Sequence, residues 1–500
     1  MRTIEDHRQE VTALVTGSLG PLEAETLAVS GTALTADPHG YEHRVLAHDV
    51  LAPSSLPAFD NSQMDGYAVI AAELASASAD RPVTLAVARR VAAGDPFSQH
   101  RPRTATPVMT GAPIPVGADA VVQIERADPP VFPTDDVVLG AGGSDLADGG
   151  TGDGGLADAG TGTGDLAYTG TPADGGVPGS GGAALAAATN GGIPGADGAA
   201  PALDAPAPAH RVAFTAPVAP GTFVRAAGSD VTAGQTLLHA GTTLGPAHYG
   251  VIAGTGATEV AVRRRPRVLL VSTGHEIRDP GSTLAPGQIF DANTVALTSA
   301  LQGIGCAVTA APCRSDDADD LLRLLADHAS GTDLVVTVGG VSAGAREVVR
   351  DALGPLGVSF MKVAMQPGGP QGFGLARIGG GERDGTPANE LPVVCLPGNP
   401  VSALVSFEAF LRPALLAALG ATTVLREQRR GRAAHPFDSP ATHHQLRRAR
   451  VLPDGTLELV GGPSSHLLHS YAESTALVHV PLGISAVAAG DELDYWRIDG

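Results

Sequence analysis

From Arg267 onward the chain alternates short β-branched runs with helix-length stretches, and no other feature limits its fold as sharply. RVLLVS precedes NTVALTSALQGIG, CAVTAA precedes DADDLLRLLADHA, DLVVTV precedes AREVVRDAL, and PVVCLP runs through GNP into a helix from about Pro400 to Leu419. A strand followed each time by a helix dictates parallel βαβ units, hence a doubly wound α/β domain. Ligands of such sheets bind outside the carboxyl ends of the strands.

The flanking segments read differently. Residues 3 to 15 form a short helix, and YEHRVLAHDVLAPSSLPAFDNSQMDGYAVIAAE interleaves strand-like pieces with the polar loop DNSQMDG. From Val83 to Arg126, short β runs separated by Pro and Gly predict a small all-β unit, and after Gly420 the runs TLELV, TALVHVPLG and DELDYWRI predict a terminal β-barrel. Composition explains one remaining stretch. With 65 Gly and 39 Pro in 500 residues, some part of the chain is low in complexity, and residues 139 to 210 are that part. They contain too few large apolar side chains to offset ordering entropy, which predicts a disordered insertion.

Charge and residue usage exclude several functions. A net charge of −20 repels phosphate backbones and anionic lipid. The N-terminus MRTIEDHRQE lacks an apolar signal core, and no uninterrupted apolar run approaches membrane-spanning length. A cytoplasmic protein without nucleic-acid or membrane partners is expected. Cys306, Cys313 and Cys395 have no metal-ligand spacing and read as buried reduced thiols. Lys362 is the single lysine among 32 basic residues, and its setting, VSFMKVAM, fits neither a P-loop nor a pyridoxal Schiff base.

Three loops that follow strands of the α/β domain, STGHEI, GGVSAG and LPGNPVS, should open on one edge of the sheet. Each offers backbone N–H groups and a hydroxyl near a helix start, which suits an oxyanion. GVSAG also matches the nucleophile-elbow pattern GxSxG, so a serine hydrolase using Ser342 is a rival reading, with His435, His443, His444, His466, His469 and His479 as candidate bases. Carboxylates recur beside the loops at Asp65, Asp230, Glu276, Asp291 and Glu347. Hard-cation chemistry favours Mg²⁺ among carboxylate and phosphate oxygens.

Together the motifs LPAFDNSQMDGYAV, MTGAPIPVGADAVV, VRAAGSDVTAG, VSTGHEI with PGQIFDANT, TVGGVSAG, MQPGGPQGFG, LPGNPVSALVSFEAFLRP and PSSHLLHSYAESTALVHVP resemble the molybdopterin molybdenumtransferases, the family of the gephyrin E-domain. The resemblance spans nearly the whole chain. It implies an elongated discontinuous domain (1–70 and 220–265), an inserted β domain (71–219), a doubly wound molybdopterin-binding domain (266–420) and a C-terminal β-barrel (421–500). It further implies a homodimer with sites between subunits, and a molybdopterin adenylyltransferase as a partner. The implied reaction converts adenylylated molybdopterin and molybdate into molybdenum cofactor and AMP with Mg²⁺.

By the same resemblance, Asp65, Asp230, Glu276, Asp291 and Glu347 form the acidic site, with Asp230 and Glu276 as metal ligands and Glu347 standing where the family pattern has aspartate. Pterin and phosphate fall to Gly339, Gly340, Ser342, Gly344, Pro397, Gly398, Asn399, Pro400 and Ser402. Ser272, Thr273, Gly274, Asn293 and Pro370 join them as substrate-binding residues, and Lys362 contacts anionic substrate. Two departures stand out. The family pattern KPGKP is replaced by Gln366-Pro367-Gly368-Gly369-Pro370, without either lysine, and the barrel segment ATHHQLRRAR leaves Arg447 and Arg448 as alternative arginine contacts. The missing lysines leave a non-catalytic pterin-binding scaffold as the other alternative.

Overall fold

The computed structural model describes residues 2–133, 210–342, 347–379 and 389–499. The low-complexity insertion and Gly344 lie outside the described residues. Two compact units are present, one formed by Met1–Phe59 with Ala226–Gly500 and the other by Asp60–Arg225.

The larger unit begins with α1 (Ile4–Leu19). Thr3 caps it, its hydroxyl accepting from Asp6 N–H while the Asp6 carboxylate accepts from Thr3 N–H. Gly20, at φ 59°, ends it in a backbone region that favours glycine. Val11 and Val15, four residues apart and fully buried, face the α/β core. His7 lies on the same face, its ring edge-on to Phe373 and Phe410 at 5.3 and 4.6 Å.

The α/β sheet contains β1 (Arg267–Ser272), β2 (Ala307–Ala310), β3 (Leu334–Val338), β4 (Ser359–Lys362), β6 (Pro370–Ile378) and β7 (Asn389–Leu396), ordered β2-β1-β3-β7-β6-β4. The first four in that order are mutually parallel; α2 (Ala292–Gln302) joins β1 to β2, α3 (Ala318–His328) joins β2 to β3, and α4 (Val348–Leu353) leads from β3 to β4. β6 and β4 then extend the sheet antiparallel. Residues Val335, Val336, Val393 and Val394 are 0–1% exposed, as expected for central strands covered on both faces.

After β7 a helix runs from Pro400 through Ala418, with a π turn at Phe407–Leu411. The turn ends two residues before Pro413, which has no N–H to give an α-helical ladder, so the wider turn absorbs the mismatch. Among the described residues this is the one helix long and apolar enough to span a membrane, yet 78% of it is buried as the core helix of the domain.

Between β4 and β6 the chain leaves the α/β sheet, and β5 (Met365–Gln366) pairs in parallel with β9 (His444–Val451) of the C-terminal domain. There β9, β10 (Thr456–Leu459), β8 (Gln428–Ala433), β12 (Glu492–Arg497) and β11 (Ala476–Val480) pair in that order, and β11 pairs back to β9, closing a barrel. The same unit holds an antiparallel pair from distant sequence, Ala24–Ala28 with Glu259–Arg263.

Among the described residues the smaller unit contains a six-stranded sheet in which Val83–Val87 and Thr104–Val108 pair in parallel and the other strands pair antiparallel. Tyr67, Leu74 and Phe214 centre its core.

Candidate active site

The three predicted loops meet at the carboxyl end of the α/β sheet. Gly339, at φ +101°, lies so close to Thr273 that a β-carbon would sit 2.9 Å from its carbonyl oxygen, and one on Gly398 would sit 3.2 Å from Gly339 Cα. Only glycine permits this stack of three backbones. Asn293, in the first turn of α2, locks it by donating to Gly398 O at 2.7 Å.

Two of the loops, through Gly340, Ser342, Pro397, Gly398, Asn399 and Ser402, open into a cavity of about 940 Å³, whereas Ser272, Thr273, Gly274 and Asn293 lie behind them and do not line it. One wall comes from the α/β domain, including Gly340, Ser342, Glu347, Lys362, Pro397, Gly398, Asn399 and Ser402; another comes from the barrel, through Asp438, Thr442, His443, Gln445, Ser464 and Ser465. The segment from Met365 to Pro370, which crosses between the two sheets, lines it as well. The first turn of the helix at Pro400 faces this space without a side-chain cap, because Asn399 donates instead to Ser465 Oγ at 2.8 Å. Uncapped N–H groups at a helix start attract anions. Lys362 is exposed in the cavity and has no ion pair among the described residues. Glu347 accepts the Ser342 N–H at 3.1 Å, its length allowing the carboxylate to reach back across the loop.

Each predicted acid has its own local setting. Asp291 is buried at the start of α2, where Oδ1 accepts Thr294 N–H at 2.9 Å and Oδ2 accepts the hydroxyls of Ser272 and Thr294. Its carboxylate is therefore committed to capping and to holding the β1 loop. Glu276 is half-exposed beside the Gly274 backbone, where a β-carbon would fall 2.6 Å from Oε2. His275 Nδ1, 3.7 Å from Glu276 Oε2, is nearer to Asp316 Oδ2 at 2.8 Å. Asp230 is exposed in a turn whose N–H donates to Leu56 O. Asp65 belongs to the smaller unit, where Oδ1 accepts from Thr110 N and Oγ1 at 2.7 and 2.9 Å. Among the described residues no three His, Cys, Asp or Glu side chains come together as metal ligands. No chemical step is assigned to a metal.

The serine-hydrolase alternative fails on geometry. No histidine is hydrogen-bonded to Ser342 among the described residues, and His443, which shares the cavity, has Nδ1 engaged with Thr442 Oγ1 at 2.9 Å. A nucleophile needs a base within reach of its proton.

The two arginines also separate. Arg448 is buried and donates to the carbonyls of Ser464 and Gly462, shaping the barrel loop. Arg447 is buried with its guanidinium 5.2 Å from the Phe437 ring centre and donates to Gln445 Oε1 at 3.3 Å. Burial, and then the Arg448 charge, push its pKa downward. Neither guanidinium lines the cavity; Gln445, the residue Arg447 contacts, does.

The sequence comparisons agree with this architecture. Residues 3–151 and 158–256 match the MoeA N-terminal region (domain I and II), and residues 270–417 match the family described as probable molybdopterin binding domain. The molybdopterin molybdenumtransferase 2 of Mycobacterium tuberculosis (strain H37Rv) is 35% identical over 507 residues, covering 100% of both chains.

The chain belongs to the molybdopterin molybdenumtransferase family.

A further relative, the molybdopterin molybdenumtransferase of Synechococcus elongatus, is 31% identical over 90% of this chain and 91% of its own. In fold, the molybdopterin biosynthesis moeA protein from Pyrococcus horikoshii OT3 covers 100% of both chains with a TM-score of 0.67 at 19% identity. As a molybdenumtransferase the chain is an enzyme of molybdenum cofactor biosynthesis, which displaces the scaffold alternative. Val363, Met365 and the barrel wall apart from His443 are the cavity residues that sequence reasoning missed, whereas residues 366–370 stood out as the departure from the family pattern. The signals of the barrel wall were the Pro- and Ser-rich turns around PSSHLLHS and ATHHQ, which became a wall only through pairing across the two domains.

Proposed function

We propose that the cavity binds adenylylated molybdopterin together with molybdate and releases molybdenum cofactor and AMP. The observation that carries this reading is the convergence of two glycine-bearing loops, at residues 340–342 and 397–399, and of Lys362, which has no ion pair among the described residues, on one cavity of about 940 Å³. A pocket of that size is large enough for a pterin nucleotide. Val341, Val363, Met365 and Pro367 supply apolar wall, while Lys362, Ser402 and the helix start at Pro400 supply positive potential. In this reading Gly339, Gly340, Ser342, Pro397, Gly398, Asn399, Pro400 and Ser402 hold pterin and phosphate, and Ser272, Thr273, Gly274 and Asn293 hold the loops in register. The dithiolene sulfurs of the substrate capture molybdenum.

The same proposal includes a cytoplasmic homodimer supplied by a molybdopterin adenylyltransferase. Asp65, Asp230, Glu276 and Glu347 would serve a Mg²⁺-dependent step in that assembly, a hard cation needing only one or two carboxylates beside substrate phosphate oxygens. Binding of adenylylated molybdopterin to the purified enzyme and to Lys362→Glu tests the assignment. The variant should bind at least tenfold more weakly, and unchanged affinity would move the substrate site away from this cavity.

A further inference from the structure

The cavity floor contains a one-way hydrogen-bond relay. Arg447 Nη1 donates to Gln445 Oε1 at 3.3 Å, and Gln445 Nε2 donates to Gln366 Oε1 at 2.6 Å. A guanidinium has donors only, so Gln445 must turn its oxygen toward Arg447 and its NH₂ toward Gln366. Gln366 must then present its own oxygen to Gln445. Its NH₂ group is left over, and Gln366 lines the cavity with no partner for Nε2 among the described residues. Without the relay the amide could turn either face to the ligand; with it, only the donor face is offered.

The supports of the relay are rigid. Gln445 is 1% exposed and Arg447 7% exposed, the latter held over Phe437, and backbone pairing of β5 with β9 sets Gln366 opposite Gln445. Gln366 also occupies the first of the two positions at which the family pattern carries lysine. We propose that Gln366 Nε2 is an oxyanion-binding donor of this enzyme, oriented by Gln445 and Arg447 as positioning residues, and that it replaces a lysine charge with a directed neutral hydrogen bond. The inference rests on the reading of the cavity as an anionic-substrate site. Two oxyanions could sit there, molybdate or the phosphate of the nucleotide, and the shared chemistry is a tetrahedral oxygen anion accepting an N–H.

Calorimetric titration with sodium molybdate and, separately, with AMP tests the relay. In Gln445→Glu the introduced carboxylate still accepts from Arg447 but no longer donates to Gln366, whose amide then turns its NH₂ toward that carboxylate and its oxygen toward the cavity. Affinity for one of the two probes should fall roughly tenfold, as expected for loss of a hydrogen bond to a charged acceptor. The probe that responds identifies the oxyanion. Gln366→Glu, a half-exposed change, should weaken the same probe and carries the test alone if the buried Gln445→Glu variant does not fold. Lysine needs no orientation, so in a Gln366→Lys background the further change Gln445→Met should leave that probe's affinity within about twofold, whereas Gln445→Met alone weakens it. A purely structural role for Gln445 would instead cost affinity equally in both backgrounds and would overturn the proposal. If the unmodified enzyme binds neither probe, the anionic-site reading falls with it; if it binds and neither glutamate variant weakens binding, the relay alone is wrong.

Discussion

Asn399 Nδ2 donates to Ser465 Oγ at 2.8 Å, tying the start of the core helix to a barrel loop across the cavity. The residue placed to cap the helix is spent on the other domain, which leaves the helix N–H groups for a ligand and fixes the distance between two cavity walls. Ser465→Ala removes this tie while sparing the backbone. Exposed single hydrogen bonds contribute about 0.5–1.5 kcal/mol, so Tm should move by only a degree or two, roughly. The KM for adenylylated molybdopterin should rise several-fold. An unchanged KM would show that the tie does not set the cavity.

The adjacent glycines of the crossing segment should behave differently. Gly368 has φ +96°, and a β-carbon there would meet Ser406 Oγ at 3.0 Å and Met365 Cε at 3.3 Å. Gly368→Ala should cost on the order of 1–3 kcal/mol, measured by denaturant unfolding. Gly369 has no such φ, and its nearest obstacles are the Val363 and Met365 carbonyl oxygens at 3.3 and 3.5 Å. Gly369→Lys should therefore fold with little loss and lower the half-saturating molybdate concentration. Unchanged half-saturation in a stable variant would show that this position does not touch molybdate.

Acid should destabilise the enzyme through two histidines, the buried His7 and the half-buried His479. Burial first, and then Arg2, hold His7 at about 4; burial, then His444 and Arg8, hold His479 at about 3. Both are neutral in the folded chain, whereas an unfolded histidine titrates near about 6.5. Between those values the unfolded chain binds more protons, so the stability is fully present above about pH 6.5 and is lost as pH falls toward the folded values. His7→Phe preserves packing against Phe373 and Phe410 while removing the titration. At about pH 5 it should unfold later than the parent by on the order of 1–2 kcal/mol more than it does at about pH 7.5. Equal differences at both pH values would exclude His7 as the source.

The α/β domain was legible because its strand and helix periods alternate cleanly, and the edge on which its loops emerge follows from parallel connectivity alone. That is why Gly340, Ser342, Glu347, Pro397, Gly398, Asn399 and Ser402 reach one cavity, which Lys362 and Pro370 join from the antiparallel pair β4 and β6. The barrel wall was not legible, because β5 is two residues long and its pairing with β9 is decided by tertiary contact rather than by pattern. Asp291 shows a second limit. An acid before a helix and an acid in a site look alike in sequence, and only the bonds from Ser272 and Thr294 reveal the cap. The reversed strand β6 likewise carries no periodicity that distinguishes its direction from that of the parallel strands.

The central claim is that this cavity joins molybdate to adenylylated molybdopterin. Its most direct test is AMP release from adenylylated molybdopterin by the purified full-length enzyme, with Mg²⁺ present, as molybdate is titrated. The account predicts release that rises with molybdate to saturation and is strongly reduced in Lys362→Glu. Release that is absent at every molybdate concentration, or that proceeds equally well without molybdate, would contradict it.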